Sequence, residues 1–236
     1  MGRAFEFRKA RKMKRWGKMA VTFTRIGKEI AMAVKQGGPD PDNNPRLRVA
    51  IQNAKSENMP KDRVDAAIQR ASSKDQKDYA EMVYEGKGPY GVGIVVETAT
   101  DNPTRTVANI RVIFNRNGGE LVKTGSLDYL FERKCIFKID PTGQDIENLE
   151  LELIDFGLEE IEQIEGETLI YTAFTDYGSM QKGIESLNIP IISVDKERIP
   201  TNTIELSETQ AEEVNKLIDK LEEDEDVLGV FHNMKT

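Results

Sequence analysis

Residues 135–172 read CIFKIDPTGQDIENLELELIDFGLEEIEQIEGETLIYT, and residues 173–195 continue AFTDYGSMQKGIESLNIPIISVD. Two periods take turns along this stretch. Cys135–Ile139, Glu159–Gln163, Thr168–Thr172 and Ile191–Asp195 read as strands, with Gly166 at the turn between the middle two. Ile146–Phe156 and Asp176–Leu187 repeat apolar residues at helical spacing. The order is β-α-β-β-α-β, and residues 135–200 are predicted to form a ferredoxin-like unit.

Downstream, Thr203–Leu206 reads as a short strand. Ser207 then caps a helix with Ala211, Val214, Leu217 and Leu221 inward, and Val227–Phe231 is a strand. These elements are too few for a core of their own. Upstream, Tyr79–Tyr84 and Val92–Thr98 read as strands, Thr104–Asn117 as a helix, and Leu127–Glu132 as a strand. Joined, residues 78–134 plus 201–236 are expected to make a second, discontinuous ferredoxin-like domain into which 135–200 is inserted. Gly86 to Gly91 matches the letters of a dinucleotide-binding fingerprint. That fingerprint needs a helix after it to receive the pyrophosphate, and here a strand follows, so the segment reads as a hairpin loop.

Residues 1–77 change period again. Lys18–Gln36 is an amphipathic helix ended by Gly37-Gly38-Pro39. Asn44 caps a second helix with Pro45 in its first turn, and Pro60 starts a third. Alanine on the inward faces implies close packing. Ahead of this unit, Arg3–Trp16 has few apolar residues and much self-repulsion. It is expected to be a loose tail that orders on a partner, broken from the first helix by Gly17. Lys74–Asp78 reads as a linker. The predicted class is α+β: a basic three-helix domain with its tail, then two ferredoxin-like domains, one inserted in the other.

The net charge of −8 conceals a split. Residues 1–77 hold 19 Lys/Arg against eight Asp/Glu, a net of +11, and residues 78–236 carry a net of −19. The extreme lies at Arg3–Lys18, where eight cations face one acid, with Phe5, Phe7 and Trp16 among them. Cations neutralise phosphates and aromatic rings stack on bases, so this pattern points to nucleic acid. A solvated charged face is the alternative. The residues expected to bind are Arg3, Arg8, Lys9, Arg11, Lys12, Lys14, Arg15, Trp16 and Lys18, continued by a stripe through Arg25 and Lys28. Asp101, Asn102, Arg105, Lys123 and Ser126, on polar loops, form a secondary candidate site. Helix capping by Asp101 or Asn102 is the structural alternative there.

Other classes lack their residues. One cysteine, Cys135, excludes an internal disulfide and a cysteine zinc site, and one histidine, His232, excludes a histidine metal cluster. The acidic run Glu222–Asp226 lacks the spacing and glycine of a calcium loop and reads as a solvated turn. No apolar run approaches the roughly 18 residues of a membrane span. The chain is expected to be cytoplasmic, non-enzymatic and monomeric, with no cofactor, metal, membrane or small-molecule substrate.

Eight short motifs, in order along the chain, carry a resemblance. They are Asn44-Pro45-Arg46-Leu47-Arg48, Asn58-Met59-Pro60-Lys61-Asp62, Tyr84-Glu85-Gly86, Thr100-Asp101-Asn102, Arg105-Thr106-Val107, Asn117-Gly118-Gly119, Phe131-Glu132-Arg133-Lys134 and Val230-Phe231-His232-Asn233. Together they resemble the YebC family, which includes bacterial proteins described as transcriptional regulators and a mitochondrial translational activator. The resemblance implies a helical N-terminal domain followed by two α/β domains, one within the other. It also implies either a DNA-binding transcriptional regulator or a factor acting on ribosomal RNA or the ribosome. Members usually begin with a His-Ser-Lys-Trp type of motif. Arg3-Ala4-Phe5-Glu6-Phe7 stands here instead, so the basic character carries over and the detailed contacts do not.

Overall fold

A computed structural model describes residues 3–73, 78–140, 142–143, 145–164 and 167–235, with the side chains of the first helix from Met19 onward. Three helices come first: α1 (Arg3–Gly37), α2 (Pro45–Ser56) and α3 (Lys61–Ala71). Ile26, Ile30, Ala33 and Val34 of α1 pack on Leu47, Ala50 and Ala54 of α2 and on Val64, Ala67 and Ala71 of α3. Asn44 fixes the α1–α2 corner. Its Oδ1 accepts the Leu47 N–H at 3.1 Å, while its Nδ2 donates to the carbonyls of Ala33 and Gly38. One side chain thus caps α2 and satisfies the end of α1. The helix α1 is continuous through Gly17, contrary to the predicted break. A single interior glycine costs a helix only about 1 kcal/mol against alanine, which its neighbours readily offset.

The first sheet contains β1 (Ala80–Lys87), β2 (Gly93–Thr100), β3 (Glu120–Val122) and β8 (Val227–His232), in the order β3-β1-β2-β8. Helices α4 (Pro103–Arg116) and α7 (Glu208–Glu222) cover one face, burying Ile110, Phe114, Val214, Leu217 and Leu221 on Val92, Ile94 and Val96. The segment after β3 covers the other face with Leu127 and Phe131. Spatially the sheet has the ferredoxin-like order, but its connectivity is rotated. The strand that usually comes third is made first, giving β-β-α-β-α-β along the chain. The β1–β2 hairpin occupies the glycine-rich stretch. Gly86 is required there by packing, because a Cβ would lie 2.3 Å from the Phe114 ring.

The second sheet contains β4 (Phe131–Ile139), β5 (Leu158–Ile164), β6 (Glu167–Ala173) and β7 (Ile191–Pro200), in the order β5-β6-β4-β7, all neighbours antiparallel. Helices α5 (Ile146–Leu153) and α6 (Tyr177–Ser186) complete the β-α-β-β-α-β chain order read from the sequence. Several boundaries differ from those expected. Residues 128–130 form a 3-10 turn, and β4 begins at Phe131, paired with Pro200 rather than with the first sheet. The residues expected as a strand at Thr203–Leu206 make a single bridge, Ile204 to Met234. The strand β3 has no signal in the sequence, since three residues are too few to display a period.

Candidate nucleic-acid interface

The basic segment lies on the first half of α1. Side chains of Arg3, Arg8, Lys9, Arg11, Lys12, Lys14, Arg15, Trp16 and Lys18 fall outside the described residues. The helix that carries them has 35 residues, roughly 50 Å at 1.5 Å per residue. Its second half is anchored, and the anchor uses the two cations expected to extend the basic stripe. Arg25 donates from Nη2 to the Glu222 carbonyl at 2.8 Å. Burial lowers its pKa, and its Nε has no hydrogen-bond partner among the described residues. Lys28, only 8% exposed, donates from Nζ to the carbonyls of Ala99 and Glu225 and to Asp226 Oδ1 at 2.7 Å. The expected stripe is therefore corrected at Lys28, which is turned inward.

Asp226 is the centre of this joint. Expected as part of a solvated acidic turn, it is only 6% exposed. Its Oδ2 accepts hydrogen bonds from Arg105 Nη2 at 2.9 Å, Thr106 Oγ1 at 2.8 Å and Thr100 Oγ1 at 3.2 Å. Burial opposes the charge, but hydrogen bonds from Lys28, Arg105 and Thr106 outweigh it and hold the carboxyl well below the usual carboxylate range. Four elements thus meet on one carboxylate: α1, the end of β2, the start of α4 and the turn before β8.

The secondary candidate residues divide between two supports. Asn102 caps α4 through Oδ1, which accepts the Arg105 N–H at 3.1 Å, with Pro103 in the first turn. Arg105 also reaches Asp101 at 3.1 Å. This loop is a cap joined to the Asp226 cluster. Lys123 and Ser126 are exposed, and their turn is held from within. The buried Glu85 carboxylate accepts the Gly125 and Leu127 N–H groups at 2.7 and 2.6 Å. Sequence reasoning missed the roles of both Glu85 and Asp226, because β1 carries two acids, Glu81 and Glu85, and nothing in its pattern marks the second as buried.

A cleft of about 360 Å³ lies where the helical unit meets both sheets, lined in part by Glu29, Arg46, Glu81, Asp195, Lys196 and Glu197. Burial raises the pKa of Glu29, Asp195 and Glu197, with Asp195 and Glu97 adding to the shift at Glu197. Arg46 pairs with Glu81 at 2.6 Å, and Arg198 of β7 pairs with Glu97 of β2 at 2.8 Å. Asn53 of α2 binds the backbone N–H and C=O of Val194 together, closing the edge of β7 as a neighbouring strand would.

Residues 3–74 match the family model described as "TACO1/YebC protein N-terminal domain", and residues 79–234 match "TACO1/YebC second and third domain". The chain belongs to the TACO1/YebC family. Its relatives include a "Probable transcriptional regulatory protein" of Parabacteroides distasonis, 58% identical over 236 residues, covering 100% of this chain and 97% of the relative. One of Cytophaga hutchinsonii with the same name is 61% identical over 234 residues, covering 99% of this chain and 98% of the relative. A crystal structure of a conserved hypothetical protein from Aquifex aeolicus is 34% identical, with a TM-score of 0.74 over 92% of this chain and 90% of that one. In this YebC-family chain, the motifs that carry the resemblance coincide with structural supports. Asn44 joins α1 to α2, Glu85 holds the Lys123–Ser126 turn, and Thr100, Arg105 and Thr106 bind Asp226 while Asn102 caps α4 beside them. Asn233 accepts the Gly93 N–H at 2.8 Å and donates to the Asn202 carbonyl.

Proposed function

We propose that this protein is a non-enzymatic, nucleic-acid-binding regulator of gene expression whose basic helix α1 holds phosphate backbones while the acidic body positions it. The observation that carries the reading is the concentration of eight cations in Arg3–Lys18 on a helix whose other half is anchored by Lys28 and Asp226. The names of its relatives, transcriptional regulatory proteins, support a regulatory role. The basic segment contains no Asn or Gln, the residues that read adenine in the major groove. Recognition by charge and shape follows, which favours a second reading in which structured RNA of the ribosome is the target. Fluorescence anisotropy with labelled DNA and RNA tests the shared core of both. Binding should weaken steeply with salt. Changing Arg8, Lys9, Arg11, Lys12, Lys14 and Arg15 together to Ala should abolish it without unfolding the body. Full binding by that variant refutes the reading. Crosslinking in cells, with sequencing of bound DNA and RNA and ribosome sedimentation, separates the two targets.

A further inference from the structure

A groove of about 530 Å³ runs between α1 and α3. Small residues line it, Ala20 and Gly27 from α1 and Ala66 and Ala67 from α3. Two exposed arginines of α3, Arg63 and Arg70, line it as well, with Asp62 the one carboxylate among the described lining residues. The Arg63 guanidinium lies 5.6 Å from the centre of the Phe23 ring, and no ion pair engages Arg63 or Arg70 among the described residues. Lys28 also lines the groove but is committed to Asp226.

We propose that this groove receives a single strand of nucleic acid continuing from the basic half of α1, with Arg63 and Arg70 on its phosphates. The inference rests on the nucleic-acid reading above and adds residues outside the basic segment. Charge selects the occupant: the cations of the groove outnumber its acid, and the helix that forms one wall carries the Arg3–Lys18 cluster. Size selects a single strand. Packed helix axes lie about 8–10 Å apart, whereas the major groove of a duplex alone is about 12 Å wide. Arg63 and Arg70 are seven residues apart, roughly 10 Å along the helix, or about three nucleotides of rise at 3.4 Å per strand step. The cation–π contact with Phe23 biases the Arg63 fork towards the groove before binding, so less side-chain freedom is lost when it meets a phosphate. The small residues let a sugar–phosphate chain approach the helix backbones.

Gly27 gives a test that leaves the fold intact. It is helical, and a Cβ there meets nothing within 4 Å, so Gly27→Leu fills the groove and improves helix propensity. The probe is a labelled mixed-sequence single-stranded RNA of about 20 nucleotides, titrated against the full chain at several salt concentrations. Gly27→Leu and the double variant Arg63→Ala/Arg70→Ala are each expected to weaken binding by roughly tenfold. The double variant should also lower the salt slope by about 1.4, for two single-strand phosphate contacts. Ultraviolet crosslinks should map to peptides of α3, a readout that does not depend on how either variant folds. If both variants bind as the parent does and crosslinks avoid α3, the groove is not the track, while loss of binding in the six-alanine variant would leave the proposed function standing. If the parent shows no salt-dependent binding, both readings fall together.

Discussion

Lys28 and Asp226 are 198 positions apart, and their contact decides how the N-terminal helix sits. Lys28→Met should cost about 3 kcal/mol, the lower end for breaking a buried pair, because Arg105 and Thr106 still serve the remaining carboxylate. Urea unfolding measures it; a midpoint equal to the parent's would show that the pair contributes nothing. The pH dependence has two parts of opposite sign. Asp226 has a folded pKa below its unfolded value of about 3.9, so its contribution is present above that value and is lost as pH falls below it. Glu29, Asp195 and Glu197 have raised folded pKa values, so their protonation on mild acidification relieves buried charge and adds stability. His232, whose pKa burial lowers, opposes that gain as pH falls from neutral, so the clear signature is the lower limb, a loss of stability below about pH 4. Asp226→Asn should flatten that limb. A parent profile with no loss below about pH 4 would contradict the assignment.

The element that departs most from its sequence is α1. Charge repulsion and Gly17 together predict a break, and the continuous helix overrides both. Gly17→Ala should raise helicity and stabilise the helix by up to about 1 kcal/mol, whereas Gly17→Pro should separate its halves at a cost of about 3 kcal/mol. Far-ultraviolet circular dichroism and hydrogen exchange over residues 3–37 report this. If both variants match the parent, the break is real. Elsewhere, elements were legible where their signal was local. The second sheet came from alternating periods within 66 residues, and Asn44 with Pro45 announced α2 before any contact was known. The strand β3 is too short for a period. Glu85 and Asp226 draw their meaning from partners distant in sequence, so a local reading assigns Glu85 no role and places Asp226 in a solvated turn.

At the scale of the whole molecule, each sheet has its own apolar core, but polar contacts stitch the parts together. Lys28–Asp226 and Arg46–Glu81 tie the helices to the first sheet, Asn53–Val194 and Arg48–Glu185 tie them to the second, and Arg198–Glu97 joins the sheets. Val49 of α2 lies within the second sheet's core. A fragment of residues 78–236 should keep both sheets yet unfold at lower urea than the full chain. It should also self-associate, because losing Asn53 uncovers the edge of β7. A monomeric fragment as stable as the parent would mean the stitching is energetically idle. Joints of this kind lay beyond the sequence, since the charges that make them are indistinguishable there from solvated ones.

The position of β8 has a consequence for how the molecule comes into being. Synthesis proceeds from the N-terminus at about 5–20 residues per second. The second sheet can close once Pro200 has left the ribosome, but β2 waits for its second neighbour until β8 emerges. Through that interval Asp226 does not yet exist, and Lys28 has no carboxylate to meet. A newborn chain therefore holds a finished inner sheet, an open outer one and an unanchored cationic helix beside the RNA of the ribosome that is making it. Premature termination within the final strand removes the edge of the outer sheet, and termination before Asp226 removes the anchor of the helix as well.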